Sequence, residues 1–363
     1  MKRVLTIFSS LFLAFALFLA PLSANTQLDS AYQKLRNFYS SGKTTLDSPD
    51  EVIAATNAGL DLSKFQLPDL AGQDFSTIKS DGAYGNLNKT IMAMLLAKQD
   101  PRNAKGTNLL KLMESFINND GSISVGGNKL GHNQMVWAVY VLSIYNPTLA
   151  IKVADNLVNE FKNNGNTLGY VYQGYHADIT ITAWGMQALN VLDASRYALT
   201  INTIKQAIAA AEDDQAGWDA YGYGHDAATQ AAILETLASV DKAGLDAGKY
   251  DKNGVSPYEV LIGFQGDNGA YPGYAGPVDA YTSAVALEAM STYYNGSIVG
   301  NAKKAYIALT TPAKTPSAAK SDTTNNDAGK DSVKAGDNTN ILGLLLMSVI
   351  AGGVLIRRSY AKA

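Results

Sequence analysis

"HADITITAWGMQALNVL" at residues 176–192 and "VDAYTSAVALEAMSTYY" at residues 278–294 follow one pattern. Each has an Asp near its start, continues through small and apolar residues, and reaches a leucine or methionine near its end. A long apolar run of this kind, which has almost no polar face, is typical of a helix that neighbours enclose on every side. The similarity of the two stretches indicates that this buried helix occurs more than once in the chain.

Two further copies become visible when the late leucine or methionine of each stretch is aligned. The aligned residues are 47, 48 and 53 positions apart: Leu142, Leu189, Leu237 and Met290. Residues 51–60 and 88–97 are degenerate members of the series. A fixed period of this length is the mark of a repeat architecture. The sequence therefore predicts about six equivalent buried helices.

A second set of helices alternates with the first. Its members carry apolar residues at spacings of three and four and charged residues between them: 108–117, 149–161, 201–212 and 255–264. This periodicity is typical of amphipathic surface helices. Amphipathic helices that alternate with buried ones predict two concentric layers. We expect an all-α fold, an α/α toroid of about six inner and six outer helices.

The segment "LIGFQGDNGAY" (261–271) resembles the QW motif of terpenoid cyclases and protein prenyltransferase-like toroids. Gln265, Gly269 and Tyr271 stand at the motif's spacing, with Tyr271 where the family prefers Trp. In that superfamily the motif joins the end of an outer helix to the loop that enters the next inner helix. The resemblance implies the fold, which hosts enzymes as well as carriers.

The two ends of the chain predict export and a membrane anchor. Lys2 and Arg3 precede an apolar run and small residues, which is typical of an export signal cleaved after Ala24. The domains predicted from the sequence are a signal peptide (1–24), the toroid (25–310), a polar stalk (311–338), a transmembrane helix (339–357) and a basic cytoplasmic tail (358–363). The stalk has too few apolar residues to bury a core.

This layout resembles that of Gram-positive surface proteins with a sortase-like tail. The match is degenerate, because Ala335 stands where the sorting motif has the threonine that sortase attacks. We therefore favour retention at the cell surface by the membrane helix over covalent attachment to the wall. The toroid is expected to lie outside the cell.

Composition restricts the chemistry. The chain has no cysteine and a formal net charge of -3. Without cysteine it cannot form the zinc site of protein prenyltransferases or lanthipeptide cyclases, and it lacks the Asp-x-Asp-Asp motif by which class II terpene cyclases protonate an alkene. With no basic run in the toroid, nucleic acid is not an expected partner.

The candidate site residues cluster before the inner helices. Asp178 and Asp226 precede two of them, where a carboxylate caps the first turn, and this role alone would explain both. The three histidines of the chain fall within a few residues of one repeat position, and Tyr-rich loops lead to the same end. The candidate ligand-binding residues are His132, His176, His225, Tyr175, Tyr223, Tyr274, Asp178 and Asp226. Repetition of a structural loop is the alternative explanation.

These residues support more than one function. The favoured hypothesis is a membrane-tethered binding protein whose mouth holds an extracellular small molecule, for example a corrinoid, or a glycan or peptide. No metal ligand set and no cofactor is assigned. The alternatives are an extracellular enzyme on the toroid, either a polysaccharide lyase or a metal-assisted hydrolase, and an adhesion module without a pocket.

The predicted tether can be tested by cell fractionation. Because Ala335 removes the group that sortase requires, we expect the protein to sediment with membranes and to be released by detergent. Recovery in covalent linkage to peptidoglycan would contradict this expectation.

Overall fold

A computed structural model describes residues 26–75, 78–163, 171–172, 176–220, 222–273 and 276–311. For residues 163, 171, 172, 176 and 177 it describes the backbone only. The predicted signal peptide, the transmembrane helix and nearly all of the stalk lie outside these ranges. Within them, no helix has both the length and the apolar character needed to span a membrane.

The described residues are predominantly helical. The helices are α1 (26–42), α2 (Pro49–Asn57), α3 (Asp81–Leu96), α4 (Leu109–Glu114), α5 (His132–Tyr145), α6 (Pro147–Asn163), α7 (Ile179–Asp193), α8 (Ala198–Ala211), α9 (Ala227–Val240), α10 (Lys242–Asp246), α11 (Pro257–Gly263), α12 (Ala280–Asn295) and α13 (Ile298–Thr310). The described chain also has two pairs of short antiparallel strands: β1 (Ser124–Val125) pairs with β2 (Asn128–Lys129), and β3 (Val171–Tyr172) pairs with β4 (His176–Ala177).

Six helices form a closed inner ring. Each packs against the next in the order α2, α3, α5, α7, α9 and α12, and α12 packs back against α2. Enclosure explains their composition: eleven of the fourteen residues of α9 are buried, whereas α8 buries only four of its fourteen. The prediction of an all-α toroid with six inner helices is confirmed.

The outer layer departs from the prediction at two places. Between α2 and α3 it contains 3₁₀ turns, Leu62–Lys64 and Leu70–Gly72, instead of an α-helix. The last helix, α13, packs against α2, α3 and α5, which are three consecutive helices of the ring. Its Asn301 amide donates to Asn57 Oδ1 at 2.8 Å, and its Tyr306 ring contacts Tyr145. Asn57 and Tyr145 end α2 and α5, so α13 lies at the C-terminal ends of these inner helices.

Gln265 behaves as its motif predicts. Its amide Nε2 donates to the carbonyl oxygens of Ala31, on outer helix α1, and of Gly269, each at 3.0 Å. Gly269 has φ +91°, and a Cβ there would lie 2.4 Å from the Lys34 carbonyl oxygen. The motif thus holds the loop before α12 against α1. Membership of the terpenoid cyclase superfamily stays a prediction.

The ring encloses buried carboxyl groups. Tyr140 Oη donates to Gln187 Oε1 at 2.8 Å, and Gln187 Nε2 donates to Glu235 Oε1 at 3.1 Å. Burial raises the pKa of Glu235 to about 7. Burial, together with the neighbouring Glu235, also raises the pKa of Glu288 well above its usual value. At least one of these groups therefore carries a proton at neutral pH in the folded protein.

Packing of the ring can be tested at Ala231, which is fully buried on α9. Replacement by Leu adds three carbon atoms between adjacent helices, and overpacking of this kind costs about 1 to 3 kcal/mol. Thermal unfolding of Ala231→Leu should show a clearly lower melting temperature. An unchanged melting temperature would mean that Ala231 has free space beside it.

The buried Glu235 predicts a pH dependence of stability. Its raised pKa means that the folded state binds more protons than the unfolded state between about pH 4.5 and about pH 7, so stability falls as pH rises through this window. Glu235→Gln keeps the oxygen that accepts from Gln187 and removes the titration. The variant should be more stable than the wild type above pH 7, with the difference vanishing in acid. Parallel wild-type and variant curves from chemical denaturation would contradict this assignment.

Candidate functional site

An open cavity of about 640 Å³, called the mouth cavity below, lies where the inner helices α7, α9 and α12 begin. The cavity therefore lies at the N-terminal end of these helices, opposite the end against which α13 packs. Its lining residues come from the first turns of the inner helices and the loops before them: Asn133, Asp178, Thr180, Ile181, Trp184, Tyr223, Asp226, Ala228, Thr229, Pro272, Asp279, Tyr281 and Thr282.

Three aspartates of the lining are N-caps of neighbouring helices. Asp178 Oδ1 accepts from the backbone N–H groups of Thr180 and Ile181 at 2.9 and 3.2 Å. Asp226 Oδ1 accepts from the Thr229 N–H at 2.9 Å. The capping role predicted for Asp178 and Asp226 is confirmed, and because the caps face inward the same carboxylates also line the cavity.

Asp279 completes the set. Its Oδ2 accepts from both the N–H and the hydroxyl of Thr282 at 2.7 Å. The second oxygen of Asp279, like that of Asp226, makes no hydrogen bond within the described part of the chain. Each of these two caps therefore leaves one carboxylate oxygen available to a ligand.

Aromatic side chains form part of the wall. Trp184 lies on α7, five residues after the start of the helix, and Tyr223 and Tyr281 are 65% and 41% exposed. The Lys89 ammonium lies 5.3 Å from the Tyr281 ring centroid and forms an ion pair with Asp50 at 2.7 Å. Exposed aromatic faces beside a cavity are suited to the apolar faces of planar or ring-shaped ligands.

Two of the three histidines have described side chains, and both lie outside the cavity lining. His132 lies at the start of α5, with Nε2 3.0 Å from Glu160 Oε2, and His225 Nε2 lies 2.7 Å from Asp213 Oδ2. Neither lines the cavity. The physical reason is their offset from the aligned leucine, which differs from copy to copy: 10 residues for His132, 13 for His176 and 12 for His225. His132 is the first residue of α5, whereas His225 lies in the loop before α9, so the two are not at equivalent positions.

The remaining predicted residues have mixed outcomes. Tyr223 lines the cavity. Tyr175, Tyr274 and the side chain of His176 lie outside the described residues. Ligand contact by any of them stays a prediction. No group of three or more His, Asp or Glu side chains suited to a metal ion is found among the residues that the structure describes.

The repeat contained a signal for cavity-lining residues that the sequence analysis did not select as candidates. Asn133, Thr180, Ala228 and Tyr281 each stand nine positions before the aligned leucine or methionine, and all four line the cavity. Comparing one exact repeat position across the copies, instead of shared residue types, would have identified these four lining residues. Asn133 Oδ1 is buried there without a hydrogen-bond partner in the described chain.

Two carboxylates hold the loop that carries Tyr223. Asp219 accepts from the backbone N–H groups of Gly222, Tyr223 and Gly224 at 2.6, 3.2 and 2.8 Å. The next contact along the chain is the pair of His225 and Asp213. The loop before α9 is therefore fixed at both ends, and this positions Tyr223 and Asp226 together.

The His225 ring depends on a glycine. A Cβ added at Gly217 would lie 2.3 Å from His225 Cε1. Burial raises the pKa of Asp213, but hydrogen bonds from the N–H groups of Gln215 and Gly217 and from His225 outweigh it and lower that pKa. Asp213 thus presents a carboxylate to the ring. Gly217 gives the ring the space to reach it.

The comparisons with known proteins identify the fold. No protein-family model matches this sequence, and a search of curated proteins finds no match either. Among solved structures, a polysaccharide lyase aligns with a TM-score of 0.51 and 12% identity, over 80% of this chain and 99% of that chain. A possible member of the GH105 family from Salmonella enterica serovar Paratyphi A aligns with a TM-score of 0.49 and 12% identity, over 73% of this chain and 93% of that chain. At such identity the similarity to the lyase shows a shared fold alone, and function has to be argued from the site.

Replacement of Gly217 by Ala tests how the Tyr223 loop is held. The added methyl should displace His225 from Asp213 and loosen the loop, so that chymotrypsin cleaves after the exposed Tyr223 faster than in the wild type. Gly85→Ala is the matched control, because nothing lies within 4 Å of a Cβ at Gly85. Equal cleavage rates in the two variants would show that His225 does not hold the loop.

Proposed function

We propose that this chain is an extracellular carbohydrate-active enzyme that binds a saccharide in the mouth cavity and hydrolyses a glycosidic bond. The observation that carries the proposal is a pair of carboxylates, Asp226 and Asp279, at the starts of adjacent inner helices around one aromatic-lined cavity. Each uses one oxygen to cap its helix and leaves the other available to a ligand. Glycoside hydrolysis requires two carboxyl groups, one acting as acid and the other as base or nucleophile. The two caps supply such a pair.

The other lining residues suit a saccharide. Trp184, Tyr223 and Tyr281 offer faces against which the apolar side of a sugar ring can pack. Thr180, which lines the cavity, carries a hydroxyl that can exchange hydrogen bonds with sugar hydroxyls. The volume of about 640 Å³ lies within the usual range of ligand pockets, about 300 to 1,000 Å³.

The charge of the lining favours hydrolysis over elimination. A lyase removes a proton next to a uronate carboxylate, and a cation normally neutralises that carboxylate. The described residues that line the cavity include three aspartates and no lysine, arginine or histidine. Like charges that face each other across an interface are costly. The proposed substrate is therefore a neutral or basic glycan.

The location proposed for this activity is the cell surface. Its support is the basic, apolar N-terminus and the apolar segment at 341–356 that Arg357 and Arg358 follow. A substrate outside the cell, such as a wall or host glycan, would be within reach of a tethered toroid. The polysaccharide lyase that shares this fold acts, by its name, on a polymer of the same class.

Two substitutions of Asp226 separate catalysis from capping. Asparagine caps a helix about as well as aspartate, whereas alanine costs about 1 kcal/mol. Asp226→Asn should therefore keep the wild-type melting temperature and lose at least about a hundredfold in glycan cleavage, as expected for removal of an acid or base. Asp226→Ala should lose both. Cleavage is measured as new reducing ends on neutral, basic and uronate oligosaccharides.

A cap remote from the cavity provides the matched control. Ser297 Oγ accepts from the Gly300 N–H at the start of α13, so Ser297→Ala should lower stability and leave cleavage intact. Wild-type activity in Asp226→Asn would mean that Asp226 acts only as a helix cap. Unsaturated products from a uronate polymer would replace hydrolysis with elimination. Saccharide binding without cleavage would return the protein to the binding function that the sequence analysis favoured.

A further inference from the structure

Arg36 differs from the other arginines of the described chain. Arg102 pairs with Asp100 and Arg196 pairs with Asp155, at 2.7 and 2.8 Å. Arg36, on α1, makes no ion pair with any described residue, and its Nη1 has only a long bond of 3.4 Å to Gln33. Its charge is therefore not neutralised by the surrounding described chain.

The Nε–H of Arg36 is the more telling group. Its nitrogen is buried and has no hydrogen-bond partner in the described structure. The guanidinium carbon lies 5.6 Å from the centroid of the Tyr32 ring, which covers one side of the group. A buried donor without an acceptor costs about 1 to 3 kcal/mol. The terminal Nη2 group is neither buried nor bonded within the described structure, so it is the donor that remains accessible to a ligand.

A cleft of about 300 Å³ lies beside Arg36 on the outer flank of the toroid. One wall is a single face of α1, formed at helical spacing by Gln33, Arg36, Asn37 and Ser40. The other wall is the segment that follows α2, from Gly59 to Phe65. The cleft shares no lining residue with the mouth cavity, so an inference about it does not rest on the proposed hydrolase.

The charges of the cleft suit an anion with one negative charge. Arg36 and Lys64 contribute two cations, and Asp61 is the single acid of the lining. Asp61 Oδ1 already accepts from the N–H and the hydroxyl of Ser63 at 3.1 and 2.7 Å, and these bonds lower the pKa of Asp61. The lining therefore has a net charge of about +1, which a monoanion would balance.

We propose that this cleft binds a phosphodiester group through Arg36. The fork formed by the two terminal nitrogens of a guanidinium matches two oxygens of a phosphate, which accept both bonds together. A phosphodiester has two such oxygens and a single charge. Asn37, Ser40 and Lys64 supply further donors around it, and Phe65 gives an apolar floor for its ester substituents. The source is either a soluble phosphodiester or the headgroup of an anionic lipid.

Nitrogen-15 NMR of arginine-labelled full-length chain tests the site directly. Dimethyl phosphate is added at constant ionic strength, with sodium chloride and sodium acetate as comparison salts. The Nε–H resonance of Arg36, assigned by its loss in Arg36→Gln, should shift saturably with dimethyl phosphate. The resonances of Arg102 and Arg196, which are already paired, should not. An equal shift with acetate or chloride, or no shift and no lipid response, would overturn the proposal.

Lipid binding distinguishes the two sources. Wild-type, Arg36→Gln and Arg102→Gln chains are kept in nonionic detergent, so that the apolar segment at 341–356 does not dominate, and are titrated with short-chain phosphatidylglycerol or phosphatidylcholine. A lipid headgroup as ligand predicts that Arg36→Gln alone loses about tenfold in affinity, and only for phosphatidylglycerol. A soluble ligand predicts the NMR shift with equal lipid binding by all three chains. Equal losses in Arg36→Gln and Arg102→Gln would show general charge attraction and contradict a specific site.

Discussion

The contact between α2 and α12 closes the ring, and the positions of all other elements depend on it. Asn57, at the end of α2, is the polar centre of this seam. Its amide donates to Ser291 Oγ at 2.9 Å, and its oxygens accept from the amides of Asn295 and Asn301 at 2.7 and 2.8 Å. Residues more than 230 positions apart in sequence are joined there. Closure places the starts of all inner helices at one end, which makes a shared mouth possible.

The closed ring also explains how an aspartate that caps a helix can line a binding cavity as well. An N-cap must stand at the start of its helix, because only there are N–H groups without intrahelical partners. In a ring of parallel helices the starts lie around a common opening. Asp226 and Asp279 are therefore structural residues that the architecture also gathers into a site. The interior below them is polar as well, since Trp184, which lines the cavity, also interacts with the buried carboxyl group of Glu235.

The fold could be predicted from the sequence because burial determines composition in every copy of the repeat. Ala183, Ala231 and Ala284 occupy one repeat position and are all fully buried, so the alignment recorded real packing. The two departures arise where the chain follows no repeat. The 3₁₀ turns between α2 and α3 and the packing of α13 are set by tertiary contacts of Leu70 and Asn301, which periodicity does not encode.

The site was predicted less well, and for a different reason. Asp178, Asp226 and Tyr223 line the cavity, and they could be selected because cap position and loop composition carry over from copy to copy; ligand contact by them stays a prediction. For the histidines a residue type was matched without its exact repeat position, and the carboxylate partners of His132 and His225 come from residues 28 and 12 positions away, so ligand contact by the histidines stays a prediction. The cleft beside Arg36 left no trace in the sequence, because its walls come from α1 and the turn after α2.

The central claim is that the mouth cavity holds a saccharide between its aromatic walls and the carboxylates of Asp226 and Asp279. The most direct measurement is a crystal structure of Asp226→Asn grown with a neutral oligosaccharide. The account predicts a sugar ring packed on Trp184, Tyr223 or Tyr281, with a hydroxyl or glycosidic oxygen within hydrogen-bond distance of Asp279. A saccharide bound elsewhere, or a cavity filled by the protein's own side chains, would contradict it.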